Sequence, residues 1–359
     1  MPRSRAPHER APAAAPTVHD PGAEDARNRA SRLEAPGPEP VRTPNGTLIR
    51  FGTASWTDPT LVRSGVFYPS RATSAEARLK YYASQFSMVE VDSPYYALPA
   101  RQTVEAWADR TPESFRFDIK AHALMTGQPS EVARLPADIR DALPAPLASK
   151  TRLYAKDLPP ELADAVWATF IDALLPLRET DKLGAVLMQY PRWFLPGHAS
   201  RDQILDAHHR FGDMPFTVEL RNALWFNARN AEHTLRFFED HDIPFVMVDE
   251  PQGLKSSVPP LLAVTTPRLA VIRFHGRRAE TWERQGVTTT EKFRYLYDAR
   301  ELEAWAPRVR EIAGRAREVH VVMNNCYANY GTTNAIELAS MVRRIYRMEA
   351  PLTKGSKGN

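Results

Sequence analysis

From residue 48 onward, short β-branched and aromatic runs alternate with stretches of helical periodicity, and nothing else in the chain restricts its fold so strongly. Eight runs read as strands: 48–55, 88–93, 115–121, 184–190, 215–221, 244–250, 269–275 and 318–324. Helices are expected over 74–86, 103–110, 160–179, 200–211, 231–241 and 299–317, with a last one over 333–348. Trp167, Phe170, Leu174 and Leu177 share one face of the longest of the intervening helices, as suits packing against a sheet. Such alternation predicts an α/β fold, and eight strands within roughly 300 residues match a (β/α)8 TIM-like barrel. A doubly wound open sheet would need a glycine-rich phosphate turn after the first strand, and FGTASWTDP contains no GxGxxG.

Two connections depart from the repeat. In 251–268, PQGLKSSVPPLLAVTTPR, prolines and a serine pair interrupt any helical period, so the link between strands six and seven is helix-poor. The proline-rich stretch from Leu124 to Pro159, after strand three, reads as an irregular excursion or lid over the barrel mouth. Residues 1–47 are rich in Ala, Pro and Arg and poor in aliphatic and aromatic side chains, which predicts a disordered extension. Glu9, Asp20, Glu24, Asp25, Glu34 and Glu39 make this extension too acidic for a transit peptide. The expected organisation is therefore this extension, one barrel domain over 48–352 and a flexible C-terminus over 353–359.

Composition narrows the classes further. No apolar stretch approaches the roughly 18 residues needed to span a bilayer, and the N-terminus lacks an apolar export core, so a cytoplasmic location is expected. A single cysteine, Cys326, excludes an internal disulfide and a multi-cysteine zinc cluster, and reads as a small packing residue. The net charge of +4 permits nucleic-acid binding without indicating it. The sequence does not say whether a cofactor is needed.

Side chains alternate across a strand, which splits each run into two faces. In FRFDIKA, Phe115, Phe117 and Ile119 oppose Arg116, Asp118 and Lys120; in PFTVELR, Phe216, Val218 and Leu220 oppose Thr217, Glu219 and Arg221. If the apolar faces meet the helices, the opposite faces point into the barrel, and their last positions lie at the C-terminal rim where barrel enzymes keep their chemistry. The resulting ring holds Glu90, Asp92, Lys120, Gln189, Glu219, Arg221, Asp249, Arg273, His275 and Asn324.

Buried charges must pair, meet a ligand or reach water, so this ring is either a structural ion-pair network or an active site. As an active site, it would hold an anion on Lys120, Arg221, Arg273 and His275, with Glu219, Asp249 and Glu90 for acid and base work. Lys120 has a second possible role as a Schiff-base nucleophile. Glu90, Glu219, Asp249 and His275 offer a mixed oxygen and nitrogen ligand set, but no HxH, HExxH or CxxC spacing supports a metal, and none is expected. Trp56, Tyr95, Tyr96, Trp193, Trp225 and Trp282 follow strands, where an aromatic ring either stacks on a substrate or seals the core.

The succession FGTASWTDP, FYP, LKYYASQFSMVEVDSPYYALP, FRFDIKA, LGAVLMQYP, VELRNALW, VDEP, IRFHGR and MNNCYANYGTTNA resembles the YecE-like family, domain of unknown function 72, over most of 48–348. The resemblance implies a TIM barrel and no established activity. Family patterns recur at Glu90, Tyr95, Tyr96, Lys120, Gln189, Pro191, Glu219, Arg221, Asp249, Arg273, His275, Gly276, Asn325 and Asn334. Many members carry a Thr-His pair after the third strand, whereas this chain reads Thr126-Gly127-Gln128.

The expected function is a hydrolase- or lyase-type enzyme acting on a small anionic carboxylate or phosphate substrate at the rim, with Glu219 as main base. Trp56, Tyr95, Tyr96, Gln189, Asn324 and Asn325 would line the substrate beside the cations. Nucleic-acid processing or binding at the same rim, and a non-catalytic scaffold, are the alternatives.

Overall fold

The computed structural model describes residues 20–349. Eight strands form the barrel: β1 Leu48–Thr53, β2 Met88–Val91, β3 Arg116–Lys120, β4 Leu183–Tyr190, β5 Phe216–Leu220, β6 Val246–Asp249, β7 Leu269–Phe274 and β8 Glu318–Met323. All pair in parallel, in the orders β1–β8–β7–β6 and β2–β3–β4–β5. Parallel bridges between Ala54 and Glu90 and between Val218 and Phe245 join the two sheets into one closed cylinder. Each of the eight expected strands is present, shortened by a residue or more at one end or both in seven of them.

Eight longer helices surround or border the barrel: α1 Pro21–Ala30, α2 Ala75–Gln85, α3 Arg101–Asp109, α4 Pro160–Glu179, α5 His198–Phe211, α6 Ala231–Asp240, α7 Ala299–Ala313 and α8 Tyr330–Glu349. Their starts follow from local chemistry. The Ser74 hydroxyl accepts from the Ala77 amide, and Asp298 and Glu301 form a capping box at α7. Phe170, Leu174 and Leu177 of α4 are buried in the same core cluster as Phe117 and Ile119 of β3. No helix is assigned over 251–268, as its prolines predict.

The barrel interior carries ionisable groups at both ends, with the small apolar cluster of Ala54, Met88 and Val322 between them, and two glycines relieve crowding along it. At Gly184 an added Cβ would lie 2.5 Å from Asp118 Oδ1 and 2.8 Å from His320 Cε1, so the missing side chain leaves room for a buried ion pair. At Gly52 an added Cβ would meet the Met88 carbonyl oxygen at 2.2 Å, where β1 and β2 come together. In the layer nearer the strand starts, His320 Nδ1 lies 2.9 Å from Asp118 Oδ2 and its Nε2 lies 3.2 Å from Glu318 Oε1, while Arg50 also binds Glu318. Burial opposes charging of His320, yet Asp118 and Glu318 outweigh it and push its pKa up to about 9.

The expectation of disorder over 1–47 is overturned for residues 20–47. Asp20 caps α1 by accepting from the Gly22 amide, and Ala23 and Ala26 are buried. Arg29 donates to both carboxylate oxygens of Glu337 at 2.8 Å and to the Tyr297 carbonyl at 2.6 Å. Val41 and Arg42 then pair antiparallel with Ile49 and Leu48. Small alanines let α1 approach α8 closely, and Leu33 and Val41 add apolar contacts with the main core. Residues 1–19 and 350–359, including the expected flexible end at 353–359, lie outside the described residues.

The excursion after β3 is likewise anchored. It contains the antiparallel pair Ser130–Glu131 with Arg152–Leu153 and two short helices, Ala137–Asp141 and Ala145–Ala148. Leu135, Ile139, Leu143, Leu153 and Leu158 belong to the main core.

Candidate functional site at the barrel mouth

Glu90, Glu219 and Arg273 are contributed by β2, β5 and β7, and they meet across the interior. The Arg273 guanidinium donates through Nη2 to Glu90 Oε1 and through Nη1 to Glu219 Oε2, with all three side chains at most 1% exposed. Glu219 Oε1 accepts from Gln189 Nε2 at 2.8 Å, Arg221 Nη1 at 3.0 Å and His275 Nε2 at 3.1 Å. Asn324 Nδ2 lies 2.8 Å from His275 Nδ1. An amide nitrogen can only donate, so Nδ1 accepts and Nε2 carries the proton that is given to Glu219. Burial pushes the His275 pKa down to about 3, with Arg221 acting in the same direction, so the ring is neutral.

The two carboxyls bound to Arg273 are driven apart. Burial raises Glu90 to about 8 despite Arg273, with Asp92 adding repulsion. Burial also opposes ionisation of Glu219, but Arg273, His275 and Arg221 together hold it well below the ordinary carboxylate range. Glu219 thus carries a charge with four donors around it. Glu90 gives only Oε1 to Arg273, and its Oε2 has no hydrogen-bond partner among the described residues.

Lys120 lies just outward, 3.6 Å from Asp92 Oδ1 and 4.8 Å from the centroid of the Tyr95 ring. The Tyr95 hydroxyl donates to Gln128 Oε1 at 2.8 Å, and Gln128 Nε2 donates to the Gln189 carbonyl at 3.2 Å. Gln128 therefore binds the excursion to the rim. Tyr96 is exposed and stacks edge-on against Tyr95.

Three expected site residues lie elsewhere. Asp249 faces outward, where it accepts from Trp305 Nε1 at 2.6 Å, the Tyr297 hydroxyl at 2.7 Å and Arg277 Nε at 2.8 Å. Asn325 donates to the Tyr295 carbonyl and to Asn334 Oδ1, both at 2.8 Å, and so holds the segments outside β8. Trp56 is buried edge-on against Trp107 at 5.6 Å and belongs to the core. With Asp249 outside, the four residues considered as metal ligands do not converge, and no other group of three His, Cys, Asp or Glu does so among the described residues.

Three residues at the mouth, Glu250, Arg192 and Lys292, escape a strand-by-strand reading, and they lie with Trp282, which the sequence does place after strand seven. Glu250, the neighbour of Asp249, lies 3.3 Å from Arg221, and its Oε1 accepts from the Val258 amide at 2.7 Å. Burial raises its pKa despite Arg221. Trp282 and Lys292 come from the loop after β7, and Arg192 from the loop after β4. Trp282 is 1% exposed and lies near the His275 ring, with centroids 6.2 Å apart, so it covers the His275 side of the mouth. Loops have no hydrophobic period; the sequence signals are the place of Trp282 after strand seven and the adjacency of Arg192 to the LMQYP run and of Glu250 to Asp249.

Fold and site together define a (β/α)8 barrel with an ionisable cluster at the C-terminal ends of its strands. Residues 50–356 match the family described as "Protein of unknown function DUF72", and the chain belongs to that family. It is 29% identical to the UPF0759 protein YunF of Bacillus subtilis (strain 168) over 307 residues, covering 85% of this chain and 98% of that protein. A crystal structure of a DUF72 family protein from Enterococcus faecalis V583 superposes with a TM-score of 0.65 at 27% identity, covering 82% of this chain and 96% of that one. A DUF72 family protein from Thermotoga maritima MSB8 gives 0.65 at 26% identity, with 82% and 99% coverage. No described helix is long and apolar enough to cross a membrane.

Proposed function

We propose that this barrel is a hydrolase- or lyase-type enzyme of the cytoplasm that accepts a small anionic substrate at its C-terminal rim. One observation carries the reading: a single guanidinium binds two buried carboxyls whose environments separate their proton affinities, Glu219 ionised and Glu90 raised to about 8. Such a separation is how a site obtains an acid and a base of unlike strength at neutral pH. Glu90, with Oε2 free, supplies or removes the proton. Glu219, the residue the sequence favours as main base, is saturated by its donors and acts instead as the anchor that positions Gln189, Arg221, Arg273 and His275. Lys120 and Arg221, 14% and 13% exposed, are the inner cations within reach of a ligand.

Incubation with a panel of small phosphate and carboxylate compounds, read by product mass, tests the proposal. E90Q is expected to retain its fold and lose about 100- to 10,000-fold in turnover, the usual contribution of a general acid or base. Unchanged turnover in folded E90Q contradicts it. The saturation of Glu219 favours a second reading, in which the ring only fixes strand register; that reading expects unfolding of the variants and no turnover by the wild type.

A further inference from the structure

Outside the ion-paired ring, two guanidinium groups lie over one indole, with a lysine in the same loop region. The Arg221 guanidinium lies 5.1 Å from the centroid of Trp282 and that of Arg192 lies 5.7 Å from it. Lys292 is close enough that burial, Arg192 and Arg221 in turn lower its pKa. Arg192 is lowered by burial and then by Arg221, while Glu250 and Glu283 act on it in the opposite sense from beyond ion-pair distance. Arg221 is shared between Glu219 and Glu250. Among the described residues, neither Arg192 nor Lys292 has an ion-pair partner, and the one side-chain hydrogen bond of Arg192 goes to the Trp282 carbonyl at 3.4 Å. The buried Trp282 indole N–H has no acceptor. Clustered cations and an unsatisfied buried donor are both unfavourable alone, and one bound anion relieves both.

We infer that Arg192, Arg221, Lys292 and Trp282 bind the dianionic phosphate group of a small phosphate monoester. This rests on the reading of the mouth as an anionic-substrate site and names its substrate class. A carboxylate brings one negative charge to a site with two unpaired cations, Arg192 and Lys292, beside the shared Arg221. A phosphate monoester brings about 1.5 to 2 at neutral pH and three acceptor oxygens, which suit two guanidinium forks, an ammonium and an indole N–H. The contributing loops follow β4, β5 and β7, at the end of the barrel where ligands enter.

Calorimetric titration of the full chain with inorganic phosphate and, separately, acetate at pH 7.5 tests the assignment. Phosphate is expected to bind saturably, acetate far more weakly, and R192Q and K292M each to weaken phosphate about tenfold or more. W282F, which removes the indole N–H together with the five-membered ring but keeps an aromatic face, is expected to weaken it by less, and thermal unfolding confirms that each variant is folded. A flat phosphate isotherm, or one unchanged in both R192Q and K292M, overturns the proposal. Acetate binding as tightly as phosphate, with the same sensitivity to R192Q and K292M, also overturns it but leaves the anionic-substrate reading standing. That reading falls separately, on the turnover of E90Q.

Discussion

Replacing Arg273 by methionine (R273M) is expected to cost about 3–5 kcal/mol of folding stability, read as a lowered urea midpoint at unchanged slope. The magnitude follows from what is left behind. Arg273 is the common partner of Glu90 and Glu219, and none of the three side chains is more than 1% exposed. Without it, Glu219 keeps three donors on Oε1 but loses the one on Oε2, and Glu90 loses its hydrogen bond from the guanidinium. A buried charge stripped of its partner is far more damaging than the loss of an exposed ion pair. Adding E90L and E219L to R273M is expected to restore part of the loss, since apolar side chains replace the stranded carboxyls. A cost below about 1 kcal/mol for R273M would show that the three groups do not form the compact buried network described.

The second large effect is a pH dependence from the opposite end of the barrel. His320 is held charged by Asp118 and Glu318, with its pKa raised from 6.5 to about 9. Between these values the folded chain keeps a proton that the unfolded chain has released. The stabilisation is therefore complete below pH 6.5 and is lost as the pH rises through 9. The span corresponds to about 3 kcal/mol. Glu90, raised from 4.5 to about 8, gives a slope of the same sign at lower pH, so the contribution of His320 is isolated by comparing wild type with H320Q. H320Q is expected to be least stable relative to wild type below pH 6.5 and to approach it by pH 10. Parallel stability curves over pH 6–10 would contradict a charged His320.

Much of this architecture is legible in the sequence because barrel strands carry two distinct faces. Where a run has a polar face and an apolar face, as in FRFDIKA, PFTVELR and LAVIRFH, period two places Lys120, Glu219, Arg221, Arg273 and His275 at the mouth, where the structure has them. PFVMVDE has no such contrast: Val246, Met247 and Val248 are all buried, and the phase of the run cannot be read from them. Asp249 therefore reads as inward in the sequence, whereas Glu250 holds that position beside Arg221. Asn324 and Asn325 illustrate the same constraint, since adjacent residues leave a strand on opposite sides. Trp56 shows that an aromatic beyond a strand end can fold back on the helical layer. Arg192, Trp282 and Lys292 lie on loops and acquire their relationship only when β4, β5 and β7 are brought to one end of the cylinder. The alanine-rich segment carrying α1 has little apolar area, yet its close approach to α8 and the bidentate Arg29–Glu337 contact secure it.

The account stands most directly on the protonation of the two carboxyls that share Arg273. Infrared difference spectra of the full chain across pH 5–10 resolve the carbonyl stretch of a protonated carboxylic acid. One such band is expected to titrate near pH 8 in wild type, to be absent in E90Q and to respond differently to E219Q. A spectrum with every carboxyl ionised by pH 6, or a band that disappears with Glu219 rather than with Glu90, would contradict the assignment.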